Sequence, residues 1–94
     1  MNRNVVVTGG SKGIGKACVE AFLRQNDTVV FCDLDESSSA QCLNDLMHLG
    51  KLYYFPCDIS NYDSVKDFFF KVNKVLEHID ILVNNAGIQI VSDF

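Results

Sequence analysis

The stretch NVVVTGGSKGIG, residues 4–15, changes character at its middle. Val5–Val7 are β-branched and stiffen the chain; four glycines then fall within seven residues, at positions 9, 10, 13 and 15. The valines, bounded by polar Asn4 and by Thr8-Gly9-Gly10, read as a short strand buried on both faces. Beyond the glycines, the spacing of Ile14, Ala17, Cys18, Ala21 and Phe22 predicts an amphipathic helix running to Gln25. A strand, a glycine turn and a helix in that order form a phosphate-binding arrangement. The helix N-terminus offers unpaired N–H groups and a partial positive charge, and glycine lets the backbone come close. The candidate groups are Gly9, Ser11, Lys12, Gly13, Ile14 and Gly15. Their spacing is G-x-x-x-G-x-G, not G-x-G-x-x-G, and the absence of Gly-Lys-Ser/Thr excludes a Walker loop. The competing explanation of the same glycines is close packing in a tight turn.

The alternation continues downstream. Asn26-Asp27 ends the first helix, and Thr28–Cys32 is a second strand. A second helix is expected from about Ser37 to Leu49, with Ala40, Leu43, Leu46 and Met47 as its apolar set and Gly50 as its stop. Leu52–Phe55 is a third strand, and Pro56 near its end favours an edge position. Ser60 with Asp63 resembles a capping box at a helix start, and Val65, Phe68, Phe69, Val72, Val75 and Leu76 follow at helical spacing. Ile79–Val83 is the fourth strand. The order β-α-β-α-β-α-β with short connections predicts an α/β fold: a doubly wound parallel sheet, right-handed crossovers and helices on both faces. In the doubly wound pattern the strand order is 3-2-1-4.

Asp33 closes the second strand, eighteen positions after Gly15. A carboxylate there accepts both hydroxyls of an adenine ribose and repels a 2′-phosphate, which favours NAD over NADP. Lys12 in the glycine turn pulls the other way, since a cation there suits a 2′-phosphate; Asp33 weighs more because it lies against the 2′ position. The competing role for Asp33 is a helix cap.

Ninety-four residues with 48% hydrophobic and 21% charged content make one globular domain. The formal net charge is −4 and the basic residues are scattered, which argues against a nucleic-acid surface. Cys18, Cys32, Cys42 and Cys57 form no C-x-x-C pair and no metal-ligand spacing with the histidines, so no metal site is expected. They read as reduced thiols, which implies a cytoplasmic compartment. His48 and His78 sit near helix ends as solvated or capping groups. No signal core and no apolar run of membrane-spanning length are expected.

Four segments together resemble the short-chain dehydrogenase/reductase family. Thr8-Gly9-Gly10-Ser11-Lys12-Gly13-Ile14-Gly15 is similar to its T-G-x-x-x-G-I-G cofactor motif. Asp33, followed by Leu34, stands where NAD-preferring members carry an acid. Cys57-Asp58-Ile59 matches the acidic and aliphatic pair after strand three, and Asn84-Asn85-Ala86-Gly87 matches N-N-A-G after strand four. The resemblance implies a Rossmann-type fold, contact of Asp58 and Ile59 with adenine, and an N-N-A-G segment that lines the adenosine ribose and steadies the sheet. It implies hydride transfer between a nicotinamide and an alcohol or carbonyl. The family's catalytic Ser and Tyr-x-x-x-Lys fall after strand four, so no catalytic residue is assigned in this chain, which is expected to be the dinucleotide-binding part, incomplete relative to the family. Tyr62-Asp63-Ser64-Val65-Lys66 spells Tyr-x-x-x-Lys, but it opens the third helix, ahead of N-N-A-G, and the position is wrong. With no fifth strand beside it, strand four would be an exposed apolar edge, and self-association through it is expected. The alternative function is a catalytically inactive nucleotide-binding or self-associating module.

Overall fold

The computed structural model describes residues 2–85. Four strands and three α-helices alternate: β1 (Asn4–Thr8), α1 (Gly13–Arg24), β2 (Thr28–Cys32), α2 (Glu36–Leu46), β3 (Leu52–Tyr54), α3 (Tyr62–Val75) and β4 (Ile81–Asn84). A 3-10 turn, Met47–Leu49, extends α2. The sheet is parallel throughout, in the order β3-β2-β1-β4. The expected architecture and strand order are both present.

The period of two along β1 and β2 divides the core. Val5, Val7, Val29 and Phe31 point to one face and pack with Val19 and Leu23 of α1 and with Cys42 and Leu46 of α2. Val6, Val30 and Cys32 point to the other and pack with Cys57 and with Val65, Phe68, Val72 and Leu76. Helices cover both faces, so the two central strands are apolar at every position from Val5 to Val7 and from Val29 to Cys32, with no polar alternation.

Several local expectations are corrected. The face of α1 that packs inward is Gly15, Val19 and Leu23, while Ile14 is 75% exposed and Ala17 and Ala21 face solvent. The rotation of α1 is set by its first turn, where Gly15 lies against the backbone of Gly9 (below). In α2 the buried residues are Ser39, Cys42 and Leu46, and Ala40 and Met47 are exposed. The cap of α3 is Asn61, whose side chain accepts from the Ser64 N–H at 3.0 Å, and not Ser60. Ser60 is held by Asp58 instead. β4 begins at Ile81, two positions later than the apolar run at Ile79, because Ile79 turns into the α3 face of the core. Asn26 does take a left-handed conformation, with φ 66°, where α1 gives way to β2. At that end of the sheet the buried Asp27 carboxylate is held by Arg3, through the backbone N–H at 3.0 Å and the guanidinium at 2.8 Å.

Candidate functional site

The C-terminal ends of β1, β2 and β4 meet the start of α1, and this is where the candidate residues gather. Asp33, Asn84 and Asn85 converge on the glycine turn through hydrogen bonds. Ser11 donates to one Asp33 oxygen through its hydroxyl and, at 3.2 Å, through its backbone N–H. The other oxygen accepts from the N–H groups of Leu34 and Asp35 at 2.8 and 3.3 Å. Burial pushes the Asp33 carboxyl up, but the hydrogen bonds from Ser11, Asp35 and Leu34 outweigh it and hold it below the ordinary carboxylate range. Asp33 is therefore ionised at neutral pH and already ties β2 to the turn. It is not a helix cap; Asp35 is, accepting from the Ser38 N–H at 3.1 Å.

The glycines divide into two physical roles. A Cβ on Gly15 would stand 1.9 Å from the Gly9 oxygen, and one on Gly10 would stand 2.6 Å from the Phe31 Cβ. Those two positions are bare so that α1 and the turn can pack on the sheet. Gly13 differs: its φ is +59° and nothing lies within 4 Å of where a Cβ would be. Gly9 also has a positive φ of 65°; its N–H and that of Gly10 both donate to the Cys32 carbonyl, at 2.8 and 3.2 Å.

The start of α1 is open. Lys12 occupies its N-cap position with no side-chain cap, and the first turn carries no acidic residue. In contrast, α2 has the Asp35 cap and Glu36 in its first turn, and α3 has the Asn61 cap and Asp63. The N–H groups at the head of α1 thus lack the internal acceptor that the other two helices carry, and the positive end of its dipole is uncompensated. A dinucleotide fits this geometry. Its diphosphate would meet the bare backbone at Gly13 and the head of α1, and Asp33 stands at the neighbouring strand end.

β4 is fastened to the same turn by Thr8, a residue whose role the motif reading did not isolate. Its hydroxyl lies 3.1 Å from the Asn84 Oδ1 and accepts from the Asn85 N–H at 2.9 Å. The Asn85 amide donates to the Gly9 carbonyl at 3.3 Å. A hydroxyl at the end of a valine strand, ahead of two glycines, was the available signal. Asp58 lies next to the site but spends its carboxylate on Ser60, at 2.6 Å to the hydroxyl and 3.0 Å to the N–H, which lower its pKa. Its loop is anchored by the Asp58 N–H donating to the Ser64 hydroxyl at 2.9 Å. Ile59 is half-buried against the α3 face of the core. Ile14 and Leu34 are exposed beside the turn, at 75% and 67%. Ala86 and Gly87 lie outside the described residues. Tyr62 and Lys66 are both exposed on α3. Among the described residues no group of acidic, His and Cys side chains could hold a metal ion, and no helix is long and apolar enough to cross a membrane.

Comparison with known proteins shows the family. The model of the short chain dehydrogenase family matches residues 3–94. The chain belongs to that family. Among curated relatives it is 40% identical over 83 residues to L-fucose dehydrogenase of Rattus norvegicus, covering 88% of this chain and 30% of that protein. It is 35% identical over 87 residues to the human 15-hydroxyprostaglandin dehydrogenase [NAD(+)], covering 89% and 33%. Among solved structures, the Pseudomonas aeruginosa RhlG/NADP active-site complex superposes with a TM-score of 0.85 at 31% identity, covering 92% of this chain and 35% of that one. This short-chain dehydrogenase chain spans about a third of the length of the relatives it matches. The dehydrogenase named for NAD and the structure named for NADP together support a nicotinamide cofactor without choosing between the two.

Proposed function

We propose that this chain is the dinucleotide-binding part of an NAD(P)-dependent oxidoreductase that moves a hydride between a nicotinamide and an alcohol or carbonyl. The observation that carries the reading is the uncapped head of α1, set beside Gly13 with open space before it. The nicotinamide, when bound, supplies the hydride acceptor or donor; the residues of this chain bind and orient the adenosine and diphosphate. Gly9, Ser11, Lys12, Gly13, Ile14 and Gly15 form or flank the diphosphate cradle. Asp33, with Leu34 beside it, takes the adenine ribose; Asp58 and Ile59 border the adenine; Asn84 and Asn85 close the ribose side, and Ala86 and Gly87 complete the same N-N-A-G motif in sequence. NAD is the preferred cofactor because Asp33 is held ionised at the end of β2. A ribose hydroxyl reaches Asp33 by replacing or sharing the Ser11 hydroxyl, which now occupies one carboxylate oxygen. No residue from 2 to 85 is assigned to hydride transfer, and the four free thiols suit a cytoplasmic setting.

The test is calorimetry of the purified chain with NAD, NADP and ADP-ribose. Binding of NAD and ADP-ribose with similar affinity, tighter than NADP, is the expected result. A folded sample that binds none of the three would refute the reading.

A second reading, a nucleotide-binding module that self-associates without chemistry, is favoured by one observation. Among the described residues β4 lies at the sheet edge with Leu82 39% exposed, and such edges pair with other chains. Size-exclusion chromatography showing a monomer at all concentrations would remove it.

A further inference from the structure

We infer that Asp35 is a positioning residue for cofactor choice, acting through Lys12; the inference rests on the dinucleotide reading above. Lys12 is the cation of the glycine turn, and its ammonium lies 3.4 Å from the Asp35 carboxylate. Asp35 is itself fixed. One of its oxygens accepts from the Ser38 N–H at 3.1 Å, and the other accepts from the Ser38 hydroxyl at 2.9 Å and from Lys12. These bonds from Ser38 first, and then from Lys12, hold its carboxyl below the ordinary range. The ammonium of the turn is therefore tied to the head of α2, two residues beyond Asp33.

A 2′-phosphate on the ribose would bring a dianion to this place. It would meet the ionised Asp33, and the one cation of the glycine turn would already be partnered. Asp35 thus acts against NADP by occupying Lys12, the cation that would otherwise meet the 2′-phosphate. A diphosphate and an unmodified ribose do not need that cation freed, so NAD binding is far less sensitive to Asp35.

The charge can be removed without removing the cap, because Asn and Ser are as good as Asp at a helix N-cap. The variants are Asp35→Asn and Asp35→Ser, each made alone and again in a Lys12→Gln background, and the ligands are NAD and 2′,5′-ADP in calorimetry at two salt concentrations. Both single variants should keep the parental melting temperature to within a few degrees. They should bind 2′,5′-ADP about three- to five-fold more tightly than the parent, the range that release of an exposed ion pair allows, while NAD affinity changes less than about two-fold. The gain should shrink at high salt and disappear in the Lys12→Gln background. A gain that persists without Lys12 would overturn the positioning role, and an unchanged ratio of the two affinities would overturn the inference while leaving the dinucleotide reading intact. A folded parent that binds neither ligand overturns both.

Discussion

The heads of α1 and α3 start from the same problem and solve it differently. Both helices present N–H groups with no partner one turn back. At α3 the chain answers from within: Asn61 accepts from the Ser64 N–H and Asp63 places a negative charge in the first turn. At α1 the corresponding position is Lys12, which has the same extended backbone but no acceptor in its side chain, and the first turn is Gly13-Ile14-Gly15. The sequence places a cation and two glycines where the other helices have an acceptor and an acid. On the dinucleotide reading proposed above, the end of α1 is left open for an external anion, and the stability forgone there is about 1 kcal/mol for a missing cap.

The hardest test of this contrast lies in the glycines. Gly15→Ala would force a Cβ to within 1.9 Å of the Gly9 oxygen, so α1 must move off the sheet. A loss of about 3 kcal/mol in folding stability is expected, together with loss of ADP-ribose binding. Gly13→Ala meets no atom within 4 Å and suffers only its φ of +59°, at about 1 kcal/mol. Its binding should fall by much more than its stability. Denaturant melts beside calorimetry separate the two, and equal stability losses for the two variants would erase the distinction between packing glycine and cradle glycine.

The next effect concerns the clasp between the turn and β2. Asp33 is held ionised by Ser11, Leu34 and Asp35. A carboxylate whose folded pKa is depressed contributes stability that is fully present above its unfolded pKa, near 4, and is lost as pH falls through the lower folded value. Ser11→Ala should destabilise the protein by about 1.5 kcal/mol at pH 7, the lower end of the range for a hydrogen bond to a charged group. The gap between variant and parent should stay constant down to roughly pH 5 and narrow below about pH 4 as Asp33 protonates. Urea melts across that range measure it; a gap independent of pH would mean that Ser11 packs the turn without serving the carboxylate.

Much of this contrast was legible in the sequence, and the parts that were not share a cause. β1 and β2 were readable because residues buried on both faces leave no polar alternation, as Val5–Val7 and Val29–Cys32 show. The open end of α1 was readable because neither glycine nor lysine carries a side-chain acceptor for the N–H groups of a first turn. The rotation of α1 was not, since Ile14, Ala17 and Ala21 form a helical stripe as regular as Val19 and Leu23 do, and only the approach of Gly15 to Gly9 selects between them. The competition between Ser60 and Asn61 for the cap of α3 was settled by Asp58, which takes Ser60 for itself. Thr8 joins Asn84 and Asn85 across a separation of more than 70 residues, and local pattern carries no trace of such a bond. Sequence reasoning reached the candidate site through its departures from local rules, and it missed the hydrogen bonds that hold those departures in place.

A smaller effect comes from the closed end of the comparison. Asn61→Ala removes the cap of α3 and should cost about 1 kcal/mol in a denaturant melt. Because α3 packs on the face away from α1 and α2, ADP-ribose affinity should be unchanged. A fall in affinity would show that the head of α3 belongs to the site.

The smallest change is the most direct, because it converts the open end into a closed one. Lys12 has φ −156° and ψ 169°, in the same extended region as the caps Asp35 and Asn61. A serine there can turn its hydroxyl onto an N–H of the first turn. Lys12→Ser should therefore gain up to about 1 kcal/mol from the new cap and lose a few tenths from the exposed pair with Asp35, a net stabilisation of about 0.5 kcal/mol without ligand. The same hydroxyl then competes with the diphosphate for those N–H groups. Lys12→Ala supplies the control, since it removes the same charge and adds no acceptor. Lys12→Ser should melt later than Lys12→Ala yet bind ADP-ribose more weakly, an inversion that general loss of charge cannot produce. If the two variants bind alike, the head of α1 is not where the phosphates sit, and the openness of that helix needs another explanation.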